Sequence, residues 1–145
     1  MARVAEPAGA LAPRGGRIGL PATGPGSLAG FGHRLAAVTL DWLASILVTA
    51  LLVGNRWAYG STGHSVVTLG VFALEVFLLT WLGGASFGQR LLGLAVVPLG
   101  GRRLTAWRVL VRTLLLCLVV PALVWDRDGR GLHDRAVDTA VVRSR

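Results

Sequence analysis

The sequence contains no lysine, a single cysteine and few acidic residues. All 15 basic residues are arginine, and they stand against 7 aspartate and glutamate residues. Cys117 cannot form an intramolecular disulfide, and one thiol cannot build a metal cluster. His33, His64 and His133 are scattered, and none has a metal ligand at helical spacing. We therefore expect no metal and no other cofactor.

The composition indicates a membrane protein. More than half of the residues (53%) are apolar, the mean hydropathy is +0.62, and 145 residues suit one compact unit. A net charge of +8 could indicate nucleic-acid binding. The arginines, however, lie at the borders of apolar runs, and no RNA-binding aromatic motif or basic helix face accompanies them. We therefore expect the lipid bilayer as partner and no nucleic acid.

Three apolar runs predict the spans. Residues 35–53 would form a helix of about 28 Å, close to the ~30 Å hydrocarbon thickness. Residues 66–82 are near the lower limit for a crossing. The third run, 109–125, contains Arg112 and is interrupted by Pro121, and its uncharged part is about 20 Å long. Hydropathy favours a full crossing, whereas the arginines that follow favour a re-entrant segment.

The first predicted span carries a polar stripe. Arg34, Asp41, Ser45 and Thr49 follow one another at spacings of seven, four and four residues, so they share one helix face. Small and polar residues on one face are typical of contacts between membrane helices. We expect this stripe to face protein, because an acid exposed to lipid is costly.

The connection between the second and third runs predicts a small β-hairpin. We expect a strand at 94–97, a turn at 98–101 and a return strand at 102–104, with a further short strand at 139–142. Arginines flank this connection and the first run, whereas Arg56 alone lies in the loop between the first two runs. The positive-inside rule then predicts a multi-pass protein of the inner or plasma membrane with a cytoplasmic N-terminus.

These patterns define a fold class and a domain division. The fold class is an all-α membrane protein with two or three transmembrane helices and a small cytoplasmic β-hairpin. Residues 1–30, rich in Ala, Gly and Pro, predict a disordered basic cytoplasmic tail, and residues 31–145 predict the membrane domain.

Three short segments follow one another in a recognisable order. They are 29–37, which contains Gly-His-Arg-Leu and runs on to Asp41, then 87–97, which begins Phe-Gly-Gln-Arg, and finally Leu-His-Asp-Arg at 132–135 with 139–142. Together they resemble the RDD family of small membrane proteins. The family is named for one arginine and two aspartates, and these correspond here to Arg34, Asp41 and Asp134. The resemblance implies an integral membrane protein whose biochemical role is undefined.

The charged residues suggest two networks. Within the membrane we expect Asp41, Glu75 and Arg112 to lie together, with Arg112 as the first candidate partner of Asp41 and Arg90 as the second. At the cytoplasmic surface we expect Arg90, His133 and Asp134 to lie together, with Asp134 meeting Arg90 or Arg108. These pairs would hold helices and tail together, since polar groups between membrane helices commonly stabilise packing.

Two functions are compatible with these networks. The first is a small assembly or accessory module held by intramembrane polar pairs, either as a homo-oligomer or with other membrane proteins. The alternative is an oligomeric ion or proton transporter using Asp41 and Glu75, since intramembrane acids mark ion pathways. We expect no enzyme, because neither a nucleophile nor a phosphate-binding loop accompanies His133 and Asp134.

Overall fold

The structure, a computed structural model, describes residues 15–54, 61–118 and 130–145. A 3₁₀ turn precedes two long helices, and a set of short elements follows them. In chain order the elements are the 3₁₀ turn at Gly16–Ile18, α1 (Phe31–Val53), α2 (Thr62–Gly83), α3 (Phe87–Leu91), β1 (Leu94–Pro98), α4 (Ala106–Cys117), α5 (Leu132–Arg135) and β2 (Thr139–Arg143).

Helices α1 and α2 correspond to the first two predicted spans. Each contains an 18-residue stretch with a mean hydropathy of 2.0, and they are the two helices in the described residues that are long and apolar enough to cross a membrane. Each begins four residues before its predicted start, because the first turn contains polar residues that hydropathy does not count. The side chain of Ser61 accepts a hydrogen bond from the His64 N–H and caps α2.

The third apolar run is described only in part. Helix α4 ends at Cys117, and residues 119–125 of the predicted span lie outside the described residues. Its 12 residues correspond to about 18 Å of helix, which is shorter than a hydrocarbon core of ~30 Å. The tail of 1–14 and the loop at 55–60, which contains Arg56, also lie outside the described part of the chain.

The predicted hairpin of 94–97 with 102–104 is wrong, although the strands predicted at 94–97 and 139–142 are both close to observed strands. Strand β1 pairs in antiparallel register with β2, from Leu94 opposite Arg143 to Pro98 opposite Thr139. Residues 102–104 form no strand. Gly100 and Gly101 both have a positive φ, and the chain then continues into α4 rather than turning back along β1.

The two-stranded sheet brings distant parts of the chain to one end of the long helices. The segment before α1 joins the sheet, because Ala29 N–H donates to Val141 O at 2.9 Å and Leu28 forms a bridge with Val142. Strand β1 contacts the C-terminal end of α2, because the Val96 N–H donates to Gly84 O at 2.7 Å. The start of α1, the end of α2 and residues 130–145 therefore lie together.

On the long helices, many polar side chains are buried and many large apolar side chains are exposed. The buried residues of α1 are Arg34, Ala37, Asp41, Ser45 and Thr49, which confirms that the predicted stripe faces protein. Large apolar side chains point outward instead, such as Leu47 at 62%, Leu51 at 78% and Leu82 at 72% exposure.

Small apolar clusters complete the interior. Phe72 and Val76 of α2 pack with Leu116 of α4, and Ala37 packs with residues of both strands. The buried hydroxyls of α1 are satisfied within the helix, since Ser45 donates to Asp41 O at 2.7 Å and Thr49 to Ser45 O at 2.8 Å.

Candidate functional site

Asp41 is buried, at 2% exposure, and both of its carboxylate oxygens accept hydrogen bonds. Ser86 Oγ donates to Oδ2 at 2.6 Å, and the Gly88 N–H donates to Oδ1. Hydrogen bonds to an ionised acceptor are stronger than those between neutral groups. Asp41 thus joins the middle of α1 to the beginning of α3.

Helix α3 begins in a capping box that leaves it open to further acceptors. Ser86 accepts from the Gln89 N–H, while the Gln89 side chain accepts from the Ser86 N–H at 3.0 Å. The next two N–H groups have no partner within the helix. Glu75 of α2 accepts from the Phe87 N–H at 2.8 Å, and Asp41 accepts from Gly88. Two carboxylates from two long helices therefore hold the first turn of α3.

Gly88 allows α3 to lie directly on α1. A Cβ atom at this position would stand 2.1 Å from Ala37 O and 3.0 Å from Asp41 Oδ1. The first atom belongs to the backbone of a helix and cannot rotate away. The hydrogen bond to Asp41 consequently depends on a residue without a side chain.

Asp134 is the centre of a second charged cluster. It is fully buried, at 0% exposure, and its Oδ1 accepts from Arg112 Nε at 2.7 Å. Arg34 Nη1 lies 3.4 Å and His133 Nε2 3.5 Å from Oδ2. Burial opposes ionisation of this carboxyl, but the charge of Arg112, then of His133 and Arg34, outweighs it, so the pKa of Asp134 is lowered from 3.8.

This cluster joins three elements. Arg34 comes from the first turns of α1, Arg112 from α4 and Asp134 from α5. Arg34 Nη2 also donates to Val141 O of β2 at 3.3 Å, and Thr139 Oγ1 donates to Asp134 O at the same distance. One buried carboxylate thus ties the sheet and α4 to the base of α1.

The sequence predicts one intramembrane network of Asp41, Glu75 and Arg112. Asp41 and Glu75 meet at the first turn of α3, where they accept from the neighbouring N–H groups of Gly88 and Phe87. The expected direct pair is corrected, however: Arg112 forms its hydrogen bond with Asp134, while Asp41 binds Ser86 and Gly88.

The expected cytoplasmic network also differs. His133 and Asp134 lie together, but Arg90 Nε donates to Ala85 O at 3.2 Å. Arg108 donates to Val137 O at 3.3 Å. The buried arginines Arg34 and Arg112 form the ion pairs with Asp134 instead. A fully buried carboxylate is costly unless it is paired with cations that are buried beside it.

Sequence reasoning missed Ser86, Gly88 and Gln89. The signal was present, because Ser-x-x-Gln marks a helix start and a glycine within it indicates a close backbone approach. The partners of Asp41 are a hydroxyl and a backbone N–H rather than the expected cation. Within residues 15–54, 61–118 and 130–145, no group of three or more His, Cys, Asp or Glu side chains could hold a metal ion.

Comparison with known protein families identifies a match over most of the chain. The model of the RDD family matches residues 28–138, a range that contains Arg34, Asp41 and Asp134. No curated protein matches the chain. No solved structure matches it.

Proposed function

The chain belongs to the RDD family, a membrane protein family of unclear function, and on that premise we propose that it is a small integral module of the cell membrane that supports assembly. In this proposal α1 and α2 cross the bilayer, and the two charged clusters fix the remaining elements at their cytoplasmic end. The module then offers a rigid pair of helices to a second copy or to another membrane protein.

The distribution of side chains supports insertion. The outward faces of α1 and α2 carry exposed leucines, while the buried faces include polar residues such as Asp41, Ser45 and Thr68. In water such an arrangement would expose a large apolar surface, which soluble monomers rarely do. In a bilayer it buries the costly polar groups and gives apolar side chains to the lipid.

The sheet supports an even number of crossings. Because β2 pairs with β1, the chain after α4 returns to the end of the molecule at which α4 began. Two crossings by α1 and α2 then leave both the segment before α1 and residues 130–145 on one side. The arginines of these regions favour the cytoplasm. Reporter fusions within 55–60 and after Arg145 should therefore report opposite sides.

The observation that carries the module proposal is the use of Asp41 within the fold. Both of its oxygens accept hydrogen bonds from α3, and Glu75 holds the neighbouring N–H of the same helix. Groups engaged in this way stabilise packing. The alternative, ion or proton exchange by an oligomer, is favoured by one observation: Glu75 Oε2 is buried and has no hydrogen bond among the described residues.

Asp41→Asn distinguishes the two functions. An amide at this position has one acceptor oxygen where the carboxylate has two, so one hydrogen bond to α3 weakens. The module proposal expects less membrane-inserted protein or a lower thermal stability in detergent. It also expects wild-type vesicles to show no more cation or proton flux than empty vesicles. Asp138→Asn is the control, because Asp138 forms an exposed pair with Arg102.

The opposite result is equally clear. If Asp41→Asn inserts and assembles like the wild type but abolishes a flux that the wild type and Asp138→Asn both show, the module proposal is wrong and exchange takes its place.

A further inference from the structure

A cavity of about 380 Å³ lies beside the sheet, at the first turn of α1. Its polar lining is supplied by His33, Arg143 and Arg145, and its apolar wall by Leu91, Leu92 and Leu94. None of the described lining residues has an acidic side chain. A cavity lined by two arginines and no acidic side chain favours an anionic ligand, and the arginine fork suits phosphate in particular.

The arginines are presented by a fixed backbone. The Arg143 N–H donates to Ser27 O at 2.9 Å, and its carbonyl accepts from the Gly26 N–H at 2.7 Å. The Ser144 N–H donates to Gly93 O at 2.8 Å, and the Arg145 side chain lies over Gly93. The cavity is therefore built from three segments of the fold.

The first turn of α1 also borders the cavity, because His33 belongs to this turn. The N-terminus of a long helix carries a partial positive charge, which favours a bound anion. Here it acts together with the two guanidinium groups.

The apolar wall reaches the outer surface. Leu91 lines the cavity and is 57% exposed, and the neighbouring lining residue Leu92 is half-buried. A free phosphate ion would make no use of these side chains. A phospholipid would use both parts, with its phosphate among the arginines and its acyl chains along the leucines.

We propose that this cavity binds the phosphate of an anionic phospholipid of the cytoplasmic leaflet. The assignment rests on the proposed function, because α1 must cross the bilayer for its first turn to lie at headgroup level. The arginines then act at the membrane surface, where each contributes about fivefold to the affinity for anionic lipid.

The test uses the purified full chain in non-denaturing detergent with equal amounts of phosphatidylglycerol and phosphatidylcholine. Native mass spectrometry counts the lipids retained. Wild type should retain phosphatidylglycerol in preference. Arg145→Ala should weaken this retention about fivefold, and the double variant Arg143→Ala/Arg145→Ala about 25-fold. Arg102→Ala/Arg103→Ala is the matched control, since it removes the same charge from exposed residues outside the cavity.

Three results would overturn the assignment. They are equal losses in the cavity variants and the control, equal retention of the two lipids by wild type, and displacement of phosphatidylglycerol by inorganic phosphate. Arg143 lies in β2, whereas Arg145 lies outside it. If the double variant does not fold, the single variant Arg145→Ala still provides the test. Extraction of membranes with alkaline carbonate separates the two proposals. A chain that carbonate releases contradicts both, whereas a resistant chain without lipid preference contradicts the cavity assignment alone.

Discussion

Gly88→Ala tests whether the contact between α3 and α1 holds the site together. The added Cβ would stand 2.1 Å from Ala37 O, whereas carbon and oxygen in ordinary contact lie more than 3 Å apart. Since both atoms are fixed to helical backbone, α3 must move away from α1 by about 1 Å. Overpacking of this kind costs about 1–3 kcal/mol.

The displacement has a second effect on Asp41. Moving α3 weakens the hydrogen bond from the Gly88 N–H to a buried carboxylate, and hydrogen bonds to charged groups contribute about 1.5–3 kcal/mol. The two effects together predict a loss of about 2.5–6 kcal/mol in the free energy of unfolding. Because small proteins are stable by about 5–15 kcal/mol, this loss should be large enough to reduce accumulation in the cell.

The measurement is unfolding of the full chain in detergent, followed by tryptophan fluorescence. Gly70→Ala is the control, because a Cβ at Gly70 in α2 would meet nothing within 4 Å. This control should be neutral or more stable by up to about 1 kcal/mol, since alanine favours helix over glycine. A Gly88→Ala variant within about 0.5 kcal/mol of the control would refute the contact between α3 and α1.

Two further predictions concern the same clusters. Asp134→Asn should cost about 3–5 kcal/mol because it leaves buried arginines without their anion, whereas Asp138→Asn should cost less than about 1 kcal/mol. The folded-state pKa of Asp134 is lowered, so the stability from its ionised form is present above about pH 4 and is lost as pH falls through that pKa. The difference between wild type and Asp134→Asn should therefore shrink below about pH 4 in equilibrium unfolding, and a constant difference would contradict the assignment. Ser86→Ala should cost about 1–3 kcal/mol more than Ser61→Ala, because both serines cap a helix but Ser86 also donates to Asp41. Equal costs would remove Ser86 as a partner of Asp41.

The long helices could be predicted from the sequence because hydropathy and the polar stripe are local patterns. The strands could also be located locally, at 94–97 and 139–142. Their pairing could not, because a strand pattern does not specify its partner, and the nearby residues 102–104 offered a shorter loop. The partner that β1 takes lies some 40 residues further along the chain.

The sequence predicts which residues belong to the candidate site better than it predicts which contacts they make. Arg34, Asp41 and Asp134 were singled out, and the structure buries all three. Their hydrogen-bond and ion-pair partners depend on how the helices and strands pack against one another. Helix α3 turns its N–H groups toward Asp41, which no spacing in the sequence reveals, and Arg112 thereby becomes available to Asp134.

The bond between Arg34 and Asp134 joins residues 100 positions apart, and this separation sets an order of events during synthesis. A ribosome that adds about 5–20 residues per second needs about 5–20 s to proceed from the arginine to its counter-ion. During that interval the first helix already carries a guanidinium group without its carboxylate. If α1 crosses the bilayer as proposed, the nascent chain must keep that group at the water-facing rim until translation delivers the aspartate.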